Sequence, residues 1–326
     1  MSIVQENASK VWNRLREAKR VLIGTHLNPD GDALGSALAM QRVLTSVGIE
    51  AEVICHHAAP RNLRFLPQVE NLSPVPRMEG HDLGLVLDLD SLDRLGSTRP
   101  YLEACPFMIV VDHHVPMDQP GDLRLVDTTA SATAAILTEF LLEVGADIDA
   151  STALCLLTGI VTDTGSFRFR NSDARSLHLA AALLERGADI NLVSDEIFGR
   201  KPLAATRLLG HVLEHMVLEA DERICWAFLS RADFDACGAR DEDTEGFVNE
   251  LLAIESVEIA ALFRESKAGV ARVSLRSRQG YDVAQVAQQF GGGGHRNAAG
   301  LNLEGDLKGK IADVVSALNQ CLASSP

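Results

Sequence analysis

The chain reads as an α/β protein: a doubly wound, mainly parallel sheet first, then a smaller α+β domain with a mixed sheet. Three observations lead there. Short, nearly continuous apolar runs occur at Val21-Leu22-Ile23, Val53-Ile54-Cys55, Leu85-Val86-Leu87 and Met108-Ile109-Val110-Val111, as in strands buried on both faces. Apolar residues recur at helical spacing between and after these runs. From residue 218 onward the pattern changes to strand-like alternation.

Taken in order, Ala33, Leu34, Ala37, Leu38 and Val43 predict a helix over 32–46, with Gly48 as its stop, completing a β-α-β unit. Further helices are expected over 131–144, 151–161 and 173–186, each ending near glycine, which closes a first domain at 1–188. Residues 191–214 look helical, with Lys201-Pro202 interrupting them, and 189–217 is read as a connector. In the second domain, 218–326, strands are expected over 224–229, 258–264 and 270–276. Helices are expected there over 245–254, 283–290 and 308–322.

Composition narrows the function. The 326 residues suffice for two domains, and 46% hydrophobic with 23% charged residues is ordinary for a globular chain. A net charge of −15 excludes a protein that coats duplexes through general basicity, but not a nucleotide substrate, because metals and arginines dominate the field at a site. The cysteines Cys55, Cys105, Cys155, Cys225, Cys237 and Cys321 form no CxxC pair and read as reduced thiols of a cytoplasmic protein. The first dozen residues lack an apolar signal core, and the longest apolar stretch, 153–161, is shorter than the roughly 18 residues a membrane span needs. No membrane association is expected.

Four polar clusters lie where the apolar runs end: His26-Leu27-Asn28-Pro29-Asp30-Gly31-Asp32, Asp88, Asp112-His113-His114 and Thr162-Asp163-Thr164. Each alone reads as a turn or a strand-end polar residue. Together they occupy the carboxyl ends of parallel strands, where open α/β sheets bind ligands. Carboxylates and imidazoles without thiolates suit two divalent cations. Mn²⁺ suits imidazole better than Mg²⁺ does, and Co²⁺ is also compatible. Strand alternation would send Asp90 to the same side as Asp88, so spacing leaves open which of them bridges the ions. His56-His57 also follows a strand but has no acidic neighbours, and is assigned to a solvated loop.

A second constellation lies near the C-terminus. Gly291-Gly292-Gly293-Gly294-His295-Arg296 offers backbone amides and a charge to an anion, without the Lys-Ser or Lys-Thr of a Walker loop. Arg264, Arg272, Arg276 and Arg278 have even spacings, so some share a sheet face. A solvated face is the ordinary explanation of such residues; beside a glycine-rich loop in an acidic chain they suggest a phosphate-binding patch.

These motifs resemble the DHH phosphoesterase family nearly end to end. The segment from His26 to Ala33 resembles its first motif, Asp88 its second, Asp112-His113-His114 its signature and Thr162–Phe167 its fourth; Ser274–Ser277 and Gly291–Gly300 resemble the attached DHHA1 domain. Length and wording are nearest to the nanoRNase branch. The resemblance implies an active site in a cleft between the two domains. His26, Asp30 and Asp88 would hold one cation, and Asp32, Asp88, His113 and Asp163 the other. His114 would contact the scissile phosphate, with Asp112 orienting a histidine from behind. Arg264, Arg276, Gly293, Gly294 and His295 would bind the rest of the nucleotide, with Arg296 adding charge. Phe167 either stacks a base or belongs to the core.

The expected reaction is hydrolysis by water activated between two cations. The expected substrates are RNA a few nucleotides long, cut to mononucleotides, and 3′-phosphoadenosine 5′-phosphate, converted to AMP. A linear or cyclic dinucleotide phosphodiesterase of the same family is an alternative, as is a non-catalytic nucleotide sensor, which would have lost a metal ligand. No stable partner of another kind is evident, and a homodimer is compatible with the family.

Overall fold

Apolar strands and the helices that cover them build the first unit, Met1–Arg200. The computed structural model describes residues 3–115, 117 and 119–324. The elements of this unit are α1 (Ile3–Glu17), β1 (Arg20–Gly24), α2 (Gly31–Ser46), β2 (Glu50–Ile54), β3 (Leu83–Leu87), α3 (Arg99–Glu103), β4 (Met108–Asp112), β5 (Leu123–Val126), α4 (Thr133–Glu143), α5 (Ala150–Asp163), α6 (Ala174–Glu185) and α7 (Ile190–Ser194). The strands form one sheet in the order β2-β1-β3-β4-β5, every pair parallel. β3 and β4 are buried at every position, as their unbroken apolar runs require. The chain runs outward from β1 to β2, then returns to the other side of β1 as β3. The switch point therefore lies between β1 and β3, whose carboxyl ends lead to His26 and Asp88.

The helix packing is close enough to set the geometry at that end of the sheet. α2 lies against α5, and Gly159 of α5 is the meeting point. A Cβ there would stand 2.5 Å from Ala134 Cβ and 2.6 Å from Asp32 Oδ1, so a side chain would push α4 and the acidic residue of α2 away.

The second unit, Lys201–Pro326, comprises α8 (Leu203–His215), β6 (Val217–Glu219), β7 (Ile224–Leu229), α9 (Arg231–Cys237), α10 (Phe247–Leu252), β8 (Ile259–Lys267), β9 (Val270–Ser277), α11 (Val283–Gln289), β10 (Gly293–His295), β11 (Ala298–Glu304) and α12 (Leu307–Ala323). Its sheet runs β10-β11-β9-β8-β7-β6 and is mixed, β7–β8 being its parallel pair. One face packs Ile259, Ala261, Phe263 and Val273 under α11 and α12. The other packs Ala260 and Leu262 under α8, α9 and α10.

Several expectations change in detail. The segment 189–217, read as a connector, is shared out: α7 packs on α5 in the first unit and α8 on β7 and α9 in the second. α1, α3, β5, β6, α9 and β11 lie outside the expected elements. The glycine-rich stretch is an edge strand over Gly293–His295 rather than an open loop. Among the described residues no two cysteines form a disulfide. No helix among the described residues is long and apolar enough to cross a membrane.

Candidate metal centre

The structure brings the four N-terminal clusters to one point. Ligand atoms of His26, Asp30 and Asp88 lie within 4.8 Å of one another, as do those of Asp32, His113 and Asp163, and those of Asp88, His113 and His114. Asp88 stands between the first two groups. Its Oδ2 is 3.4 Å from His26 Nε2 and its Oδ1 is 3.6 Å from His113 Nε2. His113 Nε2 is also 3.2 Å from Asp163 Oδ2 and 4.0 Å from Asp32 Oδ2.

Local backbone explains why Asp88, and not Asp90, takes this place. β3 ends at Leu87, and Asp88 adopts φ 59°, which breaks the alternation that would have put both aspartates on one side. Leu89 then turns into the core, and Asp90 approaches Arg94 instead, at 3.7 Å.

Each remaining carboxylate is set by a helix end or a backbone amide. Asp30 caps α2, accepting from the amides of Asp32 and Ala33. Asp32 is fully buried and reaches the start of α4, where Oδ2 accepts from Thr133 N at 2.6 Å and Oδ1 from Ala134 N at 2.8 Å. Thr133 Oγ1 donates to Asp88 Oδ1 at 3.0 Å. The positive end of α4 thus faces the acidic centre. Asp163 is the last residue of α5, and its carbonyl accepts from the Asn171 side chain, which also binds Ser131 O. Asp112 accepts from Leu89 N, His114 N and His114 Nδ1, so the histidine it orients is His114.

The imidazoles are prepared for cations. His26 Nδ1 lies 2.9 Å from Leu27 O and His113 Nδ1 lies 3.3 Å from Ala130 O. A ring nitrogen facing a carbonyl carries the hydrogen, so in the neutral ring each Nε2 presents a lone pair to the carboxylates. His113 Nε2 is buried and makes no aligned hydrogen bond among the described residues. A buried polar atom without a partner, ringed by hard oxygen donors, fits a divalent cation.

Without cations the centre must hold protons. Asp32 sits well above the ordinary carboxylate range, through burial first and then Asp88 and Asp163. Asp163 is pushed up to about 6 by burial, with Asp30 and Asp88 adding and His113 opposing. For His113 burial favours the neutral ring, but Asp163, Asp88 and Asp32 outweigh it and raise its pKa to about 10. His26 is raised in the same way, burial opposing and Asp30 and Asp88 prevailing.

The second unit holds a different constellation. Arg264 on β8 pairs with Arg272 on β9, and Ser274 and Arg276 follow on that face. Across β11 and β10 the same rows continue through Gly300 to Gly293, and through Ala298 to His295. Arg264 donates to Thr244 Oγ1 and Ser274 Oγ at 2.8 Å each, while its buried Nε has no partner among the described residues. Arg276 donates to the carbonyl of Leu275. Neither arginine has a carboxylate within ion-pair distance among the described residues, and burial holds both guanidinium groups below their ordinary pKa. Desolvated arginines with no carboxylate at ion-pair distance, beside glycines that expose backbone, suit an anion.

Arg278 and Arg296 lie elsewhere, and Phe167 takes the core place of its two expected ones. Arg278 is past the end of β9 and donates to the carbonyls of Val257, Leu252 and Ile254, a structural use. Arg296 sits in the turn between β10 and β11, tied through its carbonyl to Val283 N, and lines a groove with Gln285, Gln289 and Gln320. Phe167 packs against the first unit's core, whereas Phe169 is 46% exposed. His56 and His57 lie in the loop after β2, His57 exposed, and there His57 Nδ1 accepts from Asn28 N and so braces the first motif.

Comparison with known proteins agrees with this architecture. Residues 20–160 match the model of the DHH family, N-terminal domain, and residues 232–324 that of the DHHA1 domain. The bifunctional oligoribonuclease and PAP phosphatase NrnA of Thermus thermophilus is 34% identical over 95% of each chain. The crystal structure of an exopolyphosphatase-related protein from Bacteroides fragilis superposes with a TM-score of 0.90 and 26% identity, covering 98% of this chain and 96% of that one. Exonuclease RecJ bound to manganese shares the fold, with a TM-score of 0.54 at 16% identity over 98% and 94% of the two chains. The chain belongs to the DHH phosphoesterase family, in the form that carries a DHHA1 domain.

The proton load gives a pH test. His113, with a pKa of about 10 against an ordinary 6.5, stabilises the metal-free fold below pH 6.5 and loses that contribution as pH rises through 10. Asp163, raised from 3.8 to about 6, acts with the same sign in its own lower window. The Tm of metal-free protein should therefore fall between about pH 6.5 and about pH 9, and the Tm gain on adding Mn²⁺ should grow across that range. A gain that does not change with pH would contradict the exchange of protons for cations.

Proposed function

We propose that this chain is a two-cation phosphoesterase that cuts RNA a few nucleotides long to mononucleotides and removes the 3′-phosphate of 3′-phosphoadenosine 5′-phosphate. The observation that carries it is the placement of Asp88, each of whose oxygens addresses a different histidine-carboxylate group. His26, Asp30 and Asp88 would hold one cation; Asp32, Asp88, His113 and Asp163 would hold the other. Mn²⁺ fits this mixture of imidazole and carboxylate better than Mg²⁺. When bound, such a pair acidifies water and neutralises charge on a phosphoryl group.

The chain's own residues do the rest. His114 gives its Nδ1 hydrogen to Asp112 at 2.8 Å, so its Nε2 donates to a phosphoryl oxygen only when the ring is protonated. Burial opposes a charged ring there, but Asp112 and Asp88 raise its pKa and favour the better donor, imidazolium. Arg264 and Arg276, with the bare backbone at Gly293 and Gly294 and the ring of His295, would bind the nucleotide's remaining phosphate or sugar. The name of the Thermus thermophilus relative supports the two substrate classes. Retention of every cation ligand in one place favours catalysis over a nucleotide sensor.

Two substitutions test this. Asp88→Ala should lower kcat by at least about 10²–10³-fold with RNA dinucleotides and with the bisphosphate, while circular dichroism shows the fold kept. Wild-type turnover by that variant would remove Asp88 from the centre. Arg276→Ala should raise KM about tenfold with a smaller change in kcat, the mark of lost binding rather than lost chemistry. An unchanged KM would end the phosphate-grip reading.

A further inference from the structure

Thr133 is joined to both halves of the acidic centre, yet belongs to none of the four motifs. It is fully buried at the first position of α4. Its amide donates to Asp32 Oδ2 at 2.6 Å and its hydroxyl to Asp88 Oδ1 at 3.0 Å. The amide bond survives any substitution except proline, so the hydroxyl is the part of Thr133 on which side-chain identity acts.

Resting on the two-cation reading, we infer that Thr133 is a positioning residue that makes Asp88 a bridge rather than a chelator. A carboxylate can offer its two oxygens to one cation or divide them between two, and rotation about its last torsion interconverts these arrangements. Asp88 Oδ1 is fixed on the side of His113 and His114, at 3.6 and 3.5 Å, by the hydrogen it accepts from Thr133. With Oδ1 held, Oδ2 is delivered to His26 on the other side, 3.4 Å from Nε2. The oxygen that accepts from Thr133 keeps a second lone pair for a cation.

The hydroxyl has little alternative use. At the start of a helix no preceding turn offers it a carbonyl, unlike Thr138 and Thr158, which donate to Ala134 O and Leu154 O four residues back. Its hydrogen is therefore committed to Asp88. Without it, Asp88 can turn both oxygens toward one group of ligands, and the other group loses a donor.

The test reads cation binding directly. Wild-type protein titrated with Mn²⁺ by calorimetry should take two ions, and its electron paramagnetic resonance spectrum should show an exchange-coupled pair. Thr133→Val should bind the first ion as wild type, bind the second about 10–100-fold more weakly and lose the coupled signal. Thr133→Ser, which restores the hydroxyl, should recover both. If Thr133→Val does not fold, Thr133→Ala removes the same hydrogen bond and is held to the same outcome. Two tightly bound, coupled ions in the hydroxyl-free variant would overturn the role of Thr133 while leaving the centre itself intact. So would a Thr133→Ser variant as impaired as Thr133→Val, which would mark the methyl group and its packing as the important part. A wild-type protein that binds fewer than two ions would overturn this inference together with the two-cation reading, and is distinguished from the other failures by that stoichiometry.

Discussion

Crowded negative charge at one end of a parallel sheet governs the rest of this molecule. Asp32 and Asp88 are buried, and Asp163 is within 3.2 Å of the ring that both of them face. Burying carboxylates without compensation is strongly unfavourable, so each must find a proton, a cation or an oriented donor. Much of the first unit supplies such donors. The start of α4 gives two amides to Asp32, the start of α2 gives two to Asp30, and Asp112 is held by the amides of Leu89 and His114.

That constraint also accounts for where the backbone departs from regular structure. Asn28, Asp88, Ser166 and Phe167 have φ between 53° and 60°, and all lie within a few residues of a predicted cation ligand. A left-handed conformation costs roughly 1 kcal/mol or more for a residue with a side chain, and such strain persists only where surrounding structure enforces it. Here the enforcing contacts are visible: Asn28 N donates to His57, Asp88 N to Val111 O and Phe167 N to Thr164 Oγ1. The resulting rigidity suits a centre whose donors must converge from β1, β3, β4, α2 and α5.

The legible part of the fold was the part with a simple physical signature. β1, β3 and β4 are buried on both faces, so their sequences are unbroken apolar runs, and polar residues at their ends stand out against them. β5 was missed because Leu123-Arg124-Leu125-Val126 is short, lies at an edge and keeps Arg124 half-exposed. The choice between Asp88 and Asp90 depended on a left-handed turn that spacing does not encode. Thr133 carries no motif, since its role comes from a helix start meeting two carboxylates distant in sequence. In the second unit, even spacing implied that some of Arg264, Arg272, Arg276 and Arg278 share a face, and the strand register puts Arg264, Arg272 and Arg276 there. Arg278 leaves that row because the strand ends at Ser277. Four glycines suggested an open loop, yet pairing with β11 makes Gly293, Gly294 and His295 a strand.

Anomalous diffraction from crystals grown with Mn²⁺, collected on either side of the manganese absorption edge, bears on the whole account most directly. Two peaks about 3.5–4 Å apart are expected, with Asp88 between them, His26 beside one and His113 beside the other. A map with no peak at Asp88, or with manganese bound only away from these histidines, would contradict it.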